Sequence, residues 1–180
     1  TLSLSSTAKE DVKLYEKGVV MNKLVNSETF IIDAVDHHAG LVVCHHRSSQ
    51  KIGYLDLNKL GMTKDSAEKA IIWTDIEHGQ NILCALRAPL FAFDISGSHL
   101  GANASFKRFR VVNLFENRVI SDHELPELCT AMEFDHTMHI WTADTAGYVY
   151  THTLSPPTTL RQQLPSLDRT AQVLSFSALP

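Results

Sequence analysis

Long apolar runs are missing from this 180-residue chain: no stretch approaches the roughly 18–20 residues that a bilayer-crossing helix needs. No charged-then-apolar leader is present, and the sequence starts at Thr1 without Met, so processing or trimming at either end is expected. Cysteine is scarce and odd in number, with Cys44, Cys84 and Cys129 only. Three thiols cannot all pair within one chain, which excludes a disulfide-stapled miniprotein and favours a reducing address, cytoplasmic or nuclear. A strong excess of one charge is also lacking. Sixteen Lys and Arg stand against twenty Asp and Glu, a formal −4, so the chain as a whole is no polyphosphate-binding cation.

Several local signatures are absent as well. No H-E-x-x-H, Cys-x-x-Cys or His-x-His occurs, no G-x-S-x-G elbow, and no glycine-rich phosphate loop; Gly97 and Gly101 flank Ser-His-Leu without the required pattern. Long helical stripes are missing too. What remains is a composition of 44% hydrophobic and 20% charged residues, enough for a sizeable core in one ordinary domain.

That core is written in strand periodicity. β-Branched and aromatic residues fall in short runs bounded by turn residues. Residues 29–35, 40–44 and 51–57 read as three strands, with Asp36-His37-His38-Ala39 as a turn. The triplet returns at 70–75, 81–86 and 90–95, and again at 129–134, 139–142 and 148–152. Cys44 and Cys84 stand one repeat length apart, and so do Arg47 and Arg87. The insertion between the second and third triplets holds Phe106–Val112 and Arg118–Ser121, each a candidate outer strand. Further strands are expected at 12–15, 19–21 and 171–176, a short helical or turn connector at 64–70, and a Pro-punctuated linker from Ser155 to Asp168.

The organisation expected is an N-terminal strand-containing segment at 1–28 and blade-like repeats at 29–60, 70–121 (with an insertion) and 128–154. A linker at 155–170 and a C-terminal strand at 171–180 complete it. Units of three to four strands recurring at about 40–45 residues have the spacing of propeller blades. Phe134-Asp135, Ile140-Trp141-Thr142-Ala143-Asp144 and Gly147-Tyr148-Val149 follow the order of a blade's strands and tight turn. Leu55-Asp56 and Phe93-Asp94 stand where WD40 blades carry Trp-Asp, with the Trp replaced and with no Gly-His pair ahead of any blade. On these residues the chain resembles a diverged WD40-like β-propeller over about 29–176. The resemblance implies an all-β fold of three to four blades, an incomplete ring or a segment of a larger propeller. Since a ring needs about four to eight blades, the remainder is expected from a longer chain or from a second one.

The same resemblance implies a non-catalytic protein-binding scaffold within a larger assembly, with no cofactor and no metal. Ends of the second strands would place His46, Arg47, Arg87 and Asp144 around one rim, the kind of surface that supplies hot spots. Trp73 and Trp141 read as core. The alternative is an enzyme or small-molecule binder, with His37, His38, His45 and His78 converging on a pocket. A metal reading would take one histidine from each of the pairs His37-His38 and His45-His46 with Asp33 or Asp36, and a nucleophile reading would set Cys129-Thr130 beside His136 and His139. Finally, Phe106-Lys107-Arg108-Phe109-Arg110 mixes basic and aromatic residues, as a nucleic-acid surface would. At a net charge of −4, with no second patch, Lys107, Arg108 and Arg110 read instead as the charged face of an outer strand.

Overall fold

A computed structural model describes residues 28–59, 69–77, 83–95 and 107–163. Twelve strands form three four-stranded sheets among the described residues. In the first sheet, β1 (Phe30–Asp36), β2 (Leu41–His46), β3 (Lys51–Asp56) and β4 (Ile72–Glu77) lie side by side in chain order. The second holds β5 (Cys84–Arg87), β6 (Leu90–Asp94), β7 (Arg108–Asn113) and β8 (Arg118–Glu124), also in order. The third holds β9 (Cys129–Phe134), β10 (Ile140–Asp144), β11 (Tyr148–Leu154) and β12 (Pro157–Gln163). Such meanders need only short connections, because each strand pairs with its sequence neighbour.

A strand's place within its sheet shows in its burial. In β2, Leu41 to His45 are buried without a break, and in β6 so are Phe91 to Asp94. Strands covered on both faces lose the apolar–polar alternation that a half-exposed strand keeps. The outer strand β4 does alternate, with Thr74 and Ile76 buried between exposed neighbours. The chain divides into two compact units, Thr1–Trp73 and Thr74–Pro180. The core of the first gathers Phe30, Val42, Cys44, Leu55, Leu57 and Ile71. In the second unit one cluster joins the second and third sheets, with Ala92, Phe109, Val111, Phe134, Ile140 and Tyr150 at its centre. Each fully buried Phe contributes about 1.5–3 kcal/mol through the surface it withdraws from water.

Three sequence expectations are corrected by the strand pairing. Residues 70–75 do not open the second repeat: β4 closes the first sheet as its fourth strand. The second sheet therefore takes β7 and β8 from the expected insertion, and the repeat length shared by Cys44 and Cys84 is not structural. Cys44 lies in a second strand and Cys84 opens a first one. The true equivalents are Cys84 and Cys129, which open β5 and β9, and Asp94 and Asp144, which close β6 and β10. Phe93-Asp94 thus ends a second strand, whereas Leu55-Asp56 ends a third. Part of the expected linker at 155–170 is strand β12, paired with β11 from Tyr148↔Gln163 to Leu154↔Pro157. Pro157 is tolerated because it is the first residue of a sheet-edge strand. The strands expected at 12–15, 19–21 and 171–176 lie outside the described residues, as does most of the 64–70 connector. No helix among the described residues is long and apolar enough to cross a membrane.

Candidate functional site

In the first unit, β2 ends at His46 and the turn 47–50 leads into β3. Gln50 takes a positive φ of 57° there, and its amide donates to the His46 carbonyl at 2.9 Å. The His46 ring organises this turn: Nδ1 accepts the backbone N–H groups of Ser48 and Ser49 at 3.2 and 3.3 Å. The other side of the ring meets Trp73 edge-on, with centroids 5.4 Å apart at 74°. Trp73 is not core, contrary to the sequence expectation. It is 37% exposed on β4, next to Ile72 at 56%. An outer strand presents one face to solvent, and Trp73 falls on it while its ring rests against Gly53. A Cβ on Gly53 would lie 2.6 Å from the indole. Arg47 is exposed beside this pair in sequence, its amide bound to the Thr29 carbonyl at 2.9 Å. Two of the four rim residues thus share a turn, and an aromatic that sequence reasoning had buried joins them. The signal available was the alternation of β4, legible only once β4 is known to be an outer strand.

The other two rim residues belong to the second unit. Arg87 closes β5, half-buried; burial raises the Glu133 pKa, and the Arg87 charge offsets only part of that rise. Asp144 does not stand on a rim. It is 0% exposed, with Oδ1 accepting the Ala146 and Tyr148 amides and Oδ2 accepting the Tyr150 hydroxyl at 2.6 Å. This carboxylate closes the tight turn into β11, where Gly147 supplies the left-handed φ of 80°. A partner has no route to it.

The histidines of the enzyme reading separate. His37 and His38 stay exposed on the turn after β1, where Asp36 Oδ1 accepts the His38 and Ala39 amides. His45 is buried, with Nδ1 2.8 Å from Asp33 Oδ1. His78 lies outside the described residues. Among the described residues no group of three His, Cys, Asp or Glu side chains is placed to hold a metal ion. Cys129 and His139 flank opposite ends of the β9–β10 hairpin, about 16 Å apart at ~3.3 Å per strand residue, so the imagined dyad does not form. Burial also pushes the Cys44 and Cys129 thiols up to about 12, which leaves almost no thiolate for nucleophilic work.

The basic run is neutralised along its length. Lys107 pairs with Glu127, Arg108 with Glu124 and Arg110 with Asp122, the last by two parallel bonds of 2.8 and 2.9 Å. That fork holds the Asp122 carboxyl below its ordinary range. Phe109, between the two arginines, points inward and is fully buried, and Phe106 lies outside the described residues.

One more polar cluster escaped sequence reasoning. His123 of β8 and His152 of β11 are buried at 6% and 0% exposure, with their rings 5.1 Å apart and Phe109 against both. Asp135, which the sequence marks only as the end of a blade's first strand, has a structural role as well. It stitches the β9–β10 turn by accepting the Thr137 and His139 amides and the Trp141 indole N–H. Those bonds outweigh the effect of its burial and hold its carboxyl well below the usual range.

No family model matches the chain, and no curated protein matches it. Solved structures do. The chain is similar to the computationally designed Ika8 protein at TM-score 0.57 and 10% identity, covering 86% of this chain and 42% of that one. It is similar to the designed Ika4 protein at 0.53 and 11%, covering 86% and 84%. It is also similar to the Cps50 (Swd1) β-propeller domain of Myceliophteria thermophila at 0.51 and 9%, covering 79% and 41%. These sheets are β-propeller blades. The fold implied by the WD40-like resemblance is therefore present, in blades of four strands, within the three to four expected. The chain spans less than half the length of Ika8 and of the Swd1 domain. Three blades among the described residues also fall short of the about four that the smallest rings use.

Proposed function

We propose that this chain is a non-catalytic docking platform for proteins, working within a larger assembly. The observation that carries the reading is the His46–Trp73 contact at the end of β2. There an indole 37% exposed meets the ring of His46, which organises the turn that carries the exposed Arg47. Trp and Arg are the residue types that most often dominate binding energy, because they bury large area with few rotatable bonds or form several directed hydrogen bonds. Loops on a rigid sheet scaffold lose little entropy when a partner engages them. Arg87, half-buried at the end of β5, offers a further charged position, whereas Asp144 only shapes its turn.

The remainder of a ring would come from further sequence of the same protein or from a companion chain. All three cysteines are free, which supports a reducing compartment, cytosol or nucleus. Pairing of Lys107, Arg108 and Arg110 with carboxylates supports a protein rather than a nucleic-acid partner.

Affinity purification from the native source tests this reading, comparing the unaltered protein with Arg47→Glu and Trp73→Ala. The expected result is a companion held in stoichiometric amount by the unaltered protein and lost in both variants, while their circular dichroism stays unchanged. Undiminished recovery of the same companion, or none with the unaltered protein, would overturn it.

A further inference from the structure

Buried histidines that no hydrogen-bonded acid supports are unusual, and two occur where the second and third sheets meet. His123 projects from β8 and His152 from β11, with ring centroids 5.1 Å apart and planes at 67°. Phe109 of β7 stacks on His123 at 4.7 Å and meets His152 edge-on at 4.8 Å, so one aromatic ring touches both imidazoles. The hydrogen-bond partners of the pair among the described residues are hydroxyls. His152 Nε2 lies 2.8 Å from Thr142 Oγ1 and its Nδ1 lies 3.0 Å from Thr159 Oγ1, while His123 Nε2 lies 2.9 Å from Ser121 Oγ. A hydroxyl satisfies a neutral imidazole but brings no countercharge to an imidazolium.

We propose that His123 and His152 form an acid-sensitive latch between the second and third blades, closed while both rings are neutral and released when they take up protons. Two positive rings at this separation would repel within a low-dielectric, apolar contact, and His152, 0% exposed, could not reach water without parting the sheets.

The charged and titratable groups around the pair leave this balance in place. Asp122, the neighbour of His123 on β8, favours its protonated form, but that carboxylate is already forked to Arg110 of β7. Tyr150 of β11 stacks near His152 at 6.2 Å and donates its hydroxyl hydrogen bond to Asp144 of β10, so that carboxylate faces the phenol. From β10 and β12 the side chains bonded to His152 are the neutral Thr142 and Thr159. Burial lowers both pKa values, and burial together with the neighbouring His123 brings His152 to about 3. The sign follows: the unfolded chain protonates these residues below about 6.5, and the folded chain does so only further down. The stabilisation is thus complete above about 6.5 and lost progressively as pH falls toward 3. In that window His152 raises the unfolding constant about tenfold per pH unit, and His123 adds to the effect in the same direction.

The test uses the 180-residue chain. Histidine ring resonances are followed by NMR from pH 7.5 to 4, alongside urea unfolding at pH 7, 6 and 5, for the unaltered protein and His152→Gln. The expected result is that the His152 ring stays neutral well below pH 6, that the His123 ring protonates below the ordinary imidazole range, and that both do so only as amide protection in β8 and β11 is lost. The variant should lose about one factor of ten per pH unit from the pH dependence of unfolding. If His152→Gln does not fold, His123→Gln replaces it, and a weaker pH dependence of unfolding than that of the unaltered protein is expected. Rings that titrate near 6.5 with protection intact, or a variant with undiminished pH dependence, would overturn the latch.

Discussion

Tyr150 donates its phenolic hydrogen to Asp144 Oδ2 at 2.6 Å, inside the third blade, where Asp144 is fully buried. The bond joins the last residue of β10 to the middle of β11, while Oδ1 of the same carboxylate binds the amides of the turn between them. A buried carboxylate is tolerated only when its hydrogen-bonding capacity is met, and this one has three donors.

Removing the phenol should therefore cost more than a surface bond. Tyr150→Phe is expected to lower stability by about 1–3 kcal/mol, the penalty for stripping one partner from a buried charged group. Asp144→Ala should cost more, because the turn amides lose their acceptor as well. Urea midpoints at pH 7 read both. Equal stability of Tyr150→Phe and the unaltered protein would contradict the assignment.

How far the amino-acid sequence anticipates this site depends on the range of the information. Runs such as Leu41–Cys44 and Tyr148–His152 announce strands through their own composition, and the meander joins neighbours, so most elements were legible. Which sheet a strand joins was not. Ile72–Glu77 has the same local character whether it opens one blade or closes another, and only pairing with β3 decides. That ambiguity buried Trp73 on paper and produced the false register between Arg47 and Arg87. Pro156-Pro157 hid β12, because proline reads as punctuation unless the strand is known to lie at an edge. His123 and His152 went unnoticed because they meet across two sheets at a distance in sequence that no spacing rule reports.

Gly53 sets the seat of the Trp73 ring. A Cβ there would come within 2.6 Å of the indole and 2.7 Å of Ile71 Cγ2. Gly53→Ala is expected to destabilise the chain by roughly 1–3 kcal/mol, as overpacking does, and to displace the indole toward solvent. A red-shifted tryptophan emission with a lowered urea midpoint is the expected outcome. An unchanged spectrum would show that the ring does not rest on Gly53.

Thiol reactivity separates the cysteines. Cys44 and Cys129 are buried, with thiols pushed up to about 12, while Cys84 is half-buried. At pH 8 an aromatic disulfide reagent should label Cys84 first, and the other two only as the chain unfolds in urea. Peptide mapping of the labelled protein identifies the order. Early modification of Cys44 or Cys129 would place them outside the cores described.

The account rests most heavily on the exposed edge of the first blade as a contact surface. Hydroxyl-radical footprinting measures this directly by comparing side-chain oxidation in the isolated chain and in the proposed assembly recovered from the native source. The expected result is Trp73 readily oxidised in the isolated chain and strongly protected in the assembly, with protection extending to His46. Equal oxidation of Trp73 in both states would show that no partner covers this edge and would contradict the docking role.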